Sequence, residues 1–273
     1  MTTFAAYYDE TGLEGADGVL RLVGLFGRQQ EWFEFDKAWK SVLNAHPPTR
    51  YWHTVSAHNG KLFVTGGGQL ERRDRERKEE QLIDVLAAGK EAFATIEIEM
   101  DMQTHRRVVQ GRIRARKFAK KLGPYAPILS NPMFVLTRVA ITATDRMAAQ
   151  WNEKLAPGDP IQVWNVFEDN EAIEGVQVDV QLSALMLKKT VDRNLRSRIG
   201  PVLFLPSKGA LGQTTLQAVD FYAWHLNRPS VAGEHDPGWE KLKGFPRNRV
   251  VVSEEYLRGF VNDVNQGVRL SLD

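Results

Sequence analysis

The sequence predicts an α/β fold built on a mixed β-sheet flanked by α-helices. Three observations lead there. The chain opens on two apolar, glycine-punctuated runs; helical and strand-like periods alternate after them; and no internal repeat or low-complexity tract interrupts the pattern. At 273 residues, with 42% hydrophobic and 26% charged side chains, the chain suits one large elaborated domain with a sizeable core.

The elements follow in order. "FAAYYDETG" (4–12) and "GVLRLVGLFG" (18–27) predict neighbouring antiparallel strands joined by a loop between Gly12 and Gly18. In "EWFEFDKAWKSVLNAHPP" (31–48), Phe35, Ala38, Trp39, Val42 and Leu43 recur at helical spacing until two prolines stop the pattern. The glycine-rich "YWHTVSAHNGKLFVTGGG" (51–68) reads as a loop or a short strand-like passage. From Gln69 to Ala88, a helix carries Glu71, Arg72, Arg75, Glu79 and Glu80 on an ionic outer face, ahead of Leu82, Ile83, Val85 and Leu86. "ATIEIEMDM" (94–102) alternates with a period of two, which predicts a half-exposed strand with Ile96, Ile98 and Met100 inward and Glu97, Glu99 and Asp101 outward. A basic helical insertion occupies about 103–158: a basic stretch at 105–121, a break at Pro124, Pro127 and Pro132, and a helix from Met133 to Trp151. Then come a strand at 161–167, a helix at 179–198, a short strand "PVLFLP", and a helix "TTLQAVDFYAWHLN" capped by Thr214 or Thr215. A short strand and a final helix follow Asn248. In a mixed sheet of this kind ligands meet the carboxyl ends of strands, where Asp9, Glu168 and Asp169 emerge.

Composition excludes several chemistries. With no cysteine there is no disulfide framework, thiol nucleophile or Cys-ligated zinc, so a metal must sit on Asp, Glu, His or backbone oxygen. "TGGGQ" (65–69) and "PSKGALGQTT" (206–215) lack the P-loop ending, and neither HExxH nor Gly-x-Ser-x-Gly is present. The start of the chain lacks a secretory leader's basic region and apolar core, and no window is long and apolar enough to span a membrane, so the cytoplasm is the expected location. The net charge of +2 is nearly neutral, but between Met102 and Thr144 there is no acid. Arg106, Arg107, Arg112, Arg114, Arg116, Lys117, Lys120, Lys121 and Arg138 all fall there, and Lys188, Lys189, Arg193, Arg196 and Arg198 form a second cluster. Such runs either neutralise phosphates or form a solvated helix face.

Two acidic features stand out. Asp9 and Glu10 end an apolar strand, where lost hydration must be offset by a turn N–H, a basic partner or a metal. Asp220 sits at the edge of the stripe Leu216, Val219, Ala223 and Leu226, with Gln217 three residues earlier on the same face. Its structural role would be a hydrogen bond to a backbone N–H or a pairing with arginine; its chemical role would be metal ligation.

Taken together, Asp9 closing a first strand, Glu168 or Asp169 closing a central one, and Asp220 on a late helix resemble the carboxylate cluster of the RNase H-like superfamily. More narrowly, "YYDETG", "YWHTVSAHNGKLF" with His53, "ERRDRERKEEQLIDVL" and "TLQAVDFYAWHLN" resemble the bacterial domain-of-unknown-function 3800 family across residues 7–228. Thr11 replaces the serine of that family's Asp-Glu-Ser-Gly motif and keeps the hydroxyl. The resemblance implies an RNase H-like fold and a Mg²⁺- or Mn²⁺-dependent nuclease or phosphodiesterase, with Asp9 bridging two ions, Glu168 and Asp220 completing them, and Glu10 as an outer ligand or partner of a basic side chain. Only one of Glu168 and Asp169 can face the site; Glu168, directly after the apolar run, is favoured. His53 and His58 are then proton donors or substrate contacts, or else ordinary hydrogen-bonding residues. The basic stretch 106–121 would follow a DNA or RNA backbone. Tyr7, Tyr8, Trp164 and Trp224 are expected in the core. The competing expectation is a non-catalytic RNase H-like module that binds nucleic acid or a partner protein, as in a defence or mobile-element system.

Overall fold

The computed structural model describes residues 1–11, 18–123, 126–168, 198–205, 214–232 and 237–270. Six strands, β1 (Thr2–Thr11), β2 (Val19–Arg28), β3 (Phe93–Asp101), β4 (Ile161–Glu168), β5 (Ile199–Leu205) and β6 (Arg247–Val252), form one sheet in the order β5-β4-β1-β2-β3-β6. β2 pairs antiparallel with β1 and with β3, while β1–β4, β4–β5 and β3–β6 are parallel pairs. β2 therefore runs against the other five. The carboxyl ends of β1, β3 and β4, at Thr11, Asp101 and Glu168, share one edge of the sheet.

Helices cover both faces. α1 (Gln29–Asn44), α2 (Thr54–His58) and α3 (Arg72–Ala88) precede β3. Between β3 and β4 come α4 (Met102–His105), a π-helical turn at Arg106–Gln110, α5 (Gly111–Ile113), α6 (Arg116–Leu122), α7 (Ala126–Leu129) and α8 (Pro132–Leu155). α9 (Thr214–Ala232) and α10 (Pro237–Leu242) precede β6, and α11 (Glu254–Leu270) follows it. Strand alternation assigns the two cores. Phe4, Ala6 and Tyr8 of β1 pack with Ile96, Ile98, Val109, Leu136, Ile141 and Phe260 beneath the β3–β4 helices and α11. Ala5 packs on the opposite face with Val23, Trp32, Trp39, Leu82, Val219 and Tyr222 beneath α1, α3 and α9.

α1 forms because Trp32, Phe35, Trp39 and Leu43 return to one side every three or four residues; burying such a side chain contributes roughly 2–3 kcal/mol. The helix ends before Pro47 and Pro48, and its orphan carbonyls are met by a buried lysine: Lys78 Nζ donates to Val42 O at 2.7 Å and Ala45 O at 2.8 Å. Of the ionic outer face expected of α3, Glu79 is turned partly inward, with His58 Nε2 3.2 Å away.

Two sequence expectations change. β3 is not half-exposed: Ile96, Ile98 and Met100 face one core, but Glu97 is only 4% exposed. β6 lies alongside and supplies Arg247, which binds Glu97 through two hydrogen bonds of 2.8 and 2.6 Å, and Arg249, which reaches Glu99 at 2.7 Å. The alternation was sound; the partner that permits an inward acid lies 150 residues away. The passage at 51–68 contains a helical turn, α2, and two isolated bridges, Thr49–Val64 and Phe63–Gln69. The loop expected between Gly12 and Gly18 and the helix expected at 179–198, Arg198 excepted, lie outside the described residues, as do Asp169, Lys188, Lys189, Arg193 and Arg196. Among the described residues no helix is long and apolar enough to cross a membrane.

Candidate functional site

β1 and β4 run in parallel, and their register sets Tyr8 opposite Phe167. Those two rings stack at 4.7 Å on the face covered by α8. Tyr8 lies so flat on β2 that a Cβ at Gly24 would fall 2.4 Å from its ring, and its hydroxyl sits 3.1 Å from Thr144 Oγ1, which in turn is 2.8 Å from Asn165 Oδ1. This buried network ties β1 to β4 from beneath. One residue on, alternation sends Asp9 and Glu168 to the other face, toward α9.

There the two carboxyl groups are hydrogen-bonded to each other. Asp9 is 8% exposed. Burial first, then Glu168, Asp220 and Glu10, push its carboxyl well above the usual range. Asp220, on α9, is raised by burial and by Glu168 and held back by Thr54 and His53. The three acids separated by 158 and 51 residues are therefore electrostatic neighbours at one edge of the sheet. Among the described residues no group of three or more His, Asp or Glu is spaced as a formed metal cage; Asp9 and Glu168 face each other, and Asp220 acts on Asp9 through its charge while its hydrogen bonds go to Thr54.

Asp220 is also an anchor. Its Oδ2 accepts the N–H and the Oγ1 of Thr54, each at 2.9 Å, and Gln217 Oε1 accepts the N–H of Trp52 at 2.9 Å. Gln217 and Asp220 thus converge on residues 52–54, and the backbone N–H expected as Asp220's structural partner is that of Thr54. His53 lies between the two gripped residues. Its Nδ1 accepts the N–H of Ser56 at 3.3 Å and is 2.6 Å from Ser56 Oγ, so the ring caps α2. Thr54 and Ser56 were not among the residues singled out from sequence, and a histidine N-cap offers none of the usual Ser, Thr, Asn or Asp signals that could have pointed to them.

The remaining candidates separate. Glu10 is half-buried on the opposite side of β1 from Asp9, and Thr11 ends the strand opposite Arg21. His58 stacks on Trp224 at 3.9 Å and faces Glu79, which absorbs it into the packing of α2, α3 and α9. Arg106, Arg107, Arg112, Arg114, Lys120 and Lys121 are exposed, with Arg107 bound to Glu254 at 2.6 Å, while Arg116 and Lys117 open α6. Met102 N–H donates to Gly18 O at 3.0 Å, so this basic segment leaves β3 at the same sheet edge as the carboxylates. From the second basic cluster, Arg198 is engaged in a bidentate pair with buried Asp145 at 2.9 and 2.7 Å.

Comparison with protein-family models, with curated proteins and with solved structures returned no match.

Proposed function

We propose that the chain is a divalent-metal-dependent nuclease or related phosphodiesterase on an RNase H-like sheet, acting on DNA or RNA. What supports it is that Asp9, Glu168 and Asp220, from the beginning, middle and late parts of the chain, are electrostatic neighbours: burial, then Glu168 and Asp220, raise the proton affinity of Asp9, and burial and Glu168 raise that of Asp220. Acids so placed hold a proton or a cation. The donor set, all hard carboxylate oxygen, fits Mg²⁺ or Mn²⁺. The mixed sheet with β1 central and helices on both faces agrees with this reading.

In this reading Asp9, Glu168 and Asp220 hold the ion, with Glu10 outside them. Bound there, a divalent cation supplies Lewis-acid activation of water and neutralises charge on the phosphate. His53 contacts the phosphate from the segment held by Gln217 and Asp220. The exposed Arg106, Arg112, Arg114, Lys120 and Lys121 bind the nucleic-acid backbone without reading sequence.

The test is a cleavage panel over single- and double-stranded DNA and RNA with Mg²⁺ and Mn²⁺, run beside Asp9→Asn and accompanied by thermal melts. Wild type should cleave and gain melting temperature with millimolar Mn²⁺. Asp9→Asn should remain folded, melt higher without metal because a neutral amide is spared the burial penalty that is the main cause of the raised Asp9 carboxyl, and lose both cleavage and the Mn²⁺ response. A wild type inert on every substrate and indifferent to Mn²⁺ would remove the proposal. A second reading is favoured by the two hydrogen bonds that Asp220 accepts from Thr54: a binding module in which Asp220 anchors the 52–54 segment. Loss of folding in Asp220→Asn, with no cleavage by wild type, would select it.

A further inference from the structure

Trp52, His53 and Thr54 cross α9 with the histidine in extended conformation (φ −134°, ψ 116°), and the helix grips the residue on each side of it. The His53 ring is consequently short of freedom at its backbone. It also fills an unusual post. N-caps are ordinarily serine, threonine, asparagine or aspartate, whose oxygens accept an N–H of the first turn. Here the acceptor is imidazole Nδ1, which takes the N–H of Ser56 at 3.3 Å with Ser56 Oγ 2.6 Å away.

A ring nitrogen that accepts an N–H carries no proton itself. In the neutral ring the proton must then sit on Nε2, and Ser56 Oγ, facing a bare Nδ1, must be the donor of the shorter contact. Ser56 contributes both donors. One residue therefore sets both the rotation and the tautomer of a histidine whose chain neighbour, Thr54, is bound to Asp220.

We infer that Ser56 is a positioning residue that locks His53 as an Nε2–H hydrogen-bond donor beside the carboxylate site, with Thr54 fixing the same segment through Asp220. Resting on the nuclease reading, the substrate group that meets this donor is a phosphate oxygen, and His53 serves as a substrate contact rather than as the proton source for the leaving group. A neutral imidazole whose Nδ1 is already occupied by two donors is suited to share its Nε2 proton in a hydrogen bond, not to surrender it.

The experiment uses the full chain labelled with nitrogen-15 histidine, at about pH 8 where unperturbed imidazoles are neutral. Of the six histidines, His53 is assigned by the signal that His53→Gln removes. Wild type should show His53 as the single Nε2–H tautomer, Ser56→Ala should show a mixture of tautomers, and Ser56→Thr, which keeps the hydroxyl, should restore the single form. A wild-type proton on Nδ1, or a Ser56→Ala spectrum identical to wild type, overturns the lock. In cleavage assays Ser56→Ala should lose about tenfold in kcat/KM, the rate equivalent of one weakened hydrogen bond, and Ser56→Thr should recover it. Unchanged kcat/KM in Ser56→Ala overturns the catalytic use of the lock. If wild type cleaves nothing, the nuclease reading fails, while the nitrogen-15 spectra still decide whether Ser56 sets the tautomer.

Discussion

Replacing Thr54 with valine isolates the half of the site that holds Asp220 in place. Thr54 is 0% exposed, and its N–H and Oγ1 reach the same carboxylate oxygen at 2.9 Å each. Valine keeps the shape and the backbone donor and deletes the hydroxyl. A hydrogen bond to a charged group contributes roughly 1.5–3 kcal/mol. The added methyl returns roughly 0.8 kcal/mol through apolar burial. The net loss should be about 1–2 kcal/mol, read as a shift of the urea midpoint at constant slope. In an Asp220→Asn background the oxygen facing Thr54 is neutral, so the same substitution should cost less than half as much, leaving a coupling energy of about 1 kcal/mol in the double-mutant cycle. Two carboxyl groups of one site would then respond oppositely: replacing Asp9 by its amide stabilises, because burial and then the neighbouring acids penalise its charge, whereas neutralising Asp220 weakens an anchor. A Thr54→Val effect within about 0.3 kcal/mol of zero in both backgrounds would refute the reasoning, because a change that small is what an uninvolved surface position gives.

Further consequences can be checked separately. His105 is fully buried and, among the described residues, neither ring nitrogen has a hydrogen-bond partner; burial, then Arg106 and Arg114, bring its pKa from 6.5 down to about 4. Because the folded value is depressed, its contribution to stability is intact above pH 6.5 and is lost as pH falls from 6.5 toward 4. The span corresponds to about 3 kcal/mol, so urea titrations of His105→Leu should show a flatter pH dependence than wild type in that window; parallel profiles would contradict it. Lys78→Met should cost about 3 kcal/mol by leaving the carbonyls at the end of α1 without their donor, measured by the same titration. Arg112→Ala with Arg114→Ala should weaken binding to DNA and RNA alike and reduce the salt slope of binding by about 1–2, measured by fluorescence anisotropy across salt concentrations with catalysis blocked by Asp9→Asn.

The features legible in the sequence were those carried by local period. The two-residue alternation of "FAAYYDETG" determined that Asp9 and Glu10 leave β1 on opposite faces, and the three-to-four-residue spacing around Trp39 determined α1. Glu168 was favoured over Asp169 because it follows the apolar run directly; the β1–β4 register sets it beside Asp9, and Asp169 lies outside the described residues. What remained illegible depended on partners far along the chain. Glu97 reads as a solvent-facing acid until β6 brings Arg247 to it, and Glu79 reads as part of an ionic outer face until α2 brings His58 to it.

By itself the sequence determined which side chains share a strand face or a helix stripe, because those relations follow from backbone geometry that each segment carries alone. Only the tertiary structure decided which acids meet and that α9 turns Gln217 onto Trp52 and Asp220 onto Thr54. The physical reason is desolvation: a carboxylate or an imidazole takes its protonation and its partner from what surrounds it once water is excluded, and those surroundings are assembled by the packing of segments more than 150 residues apart.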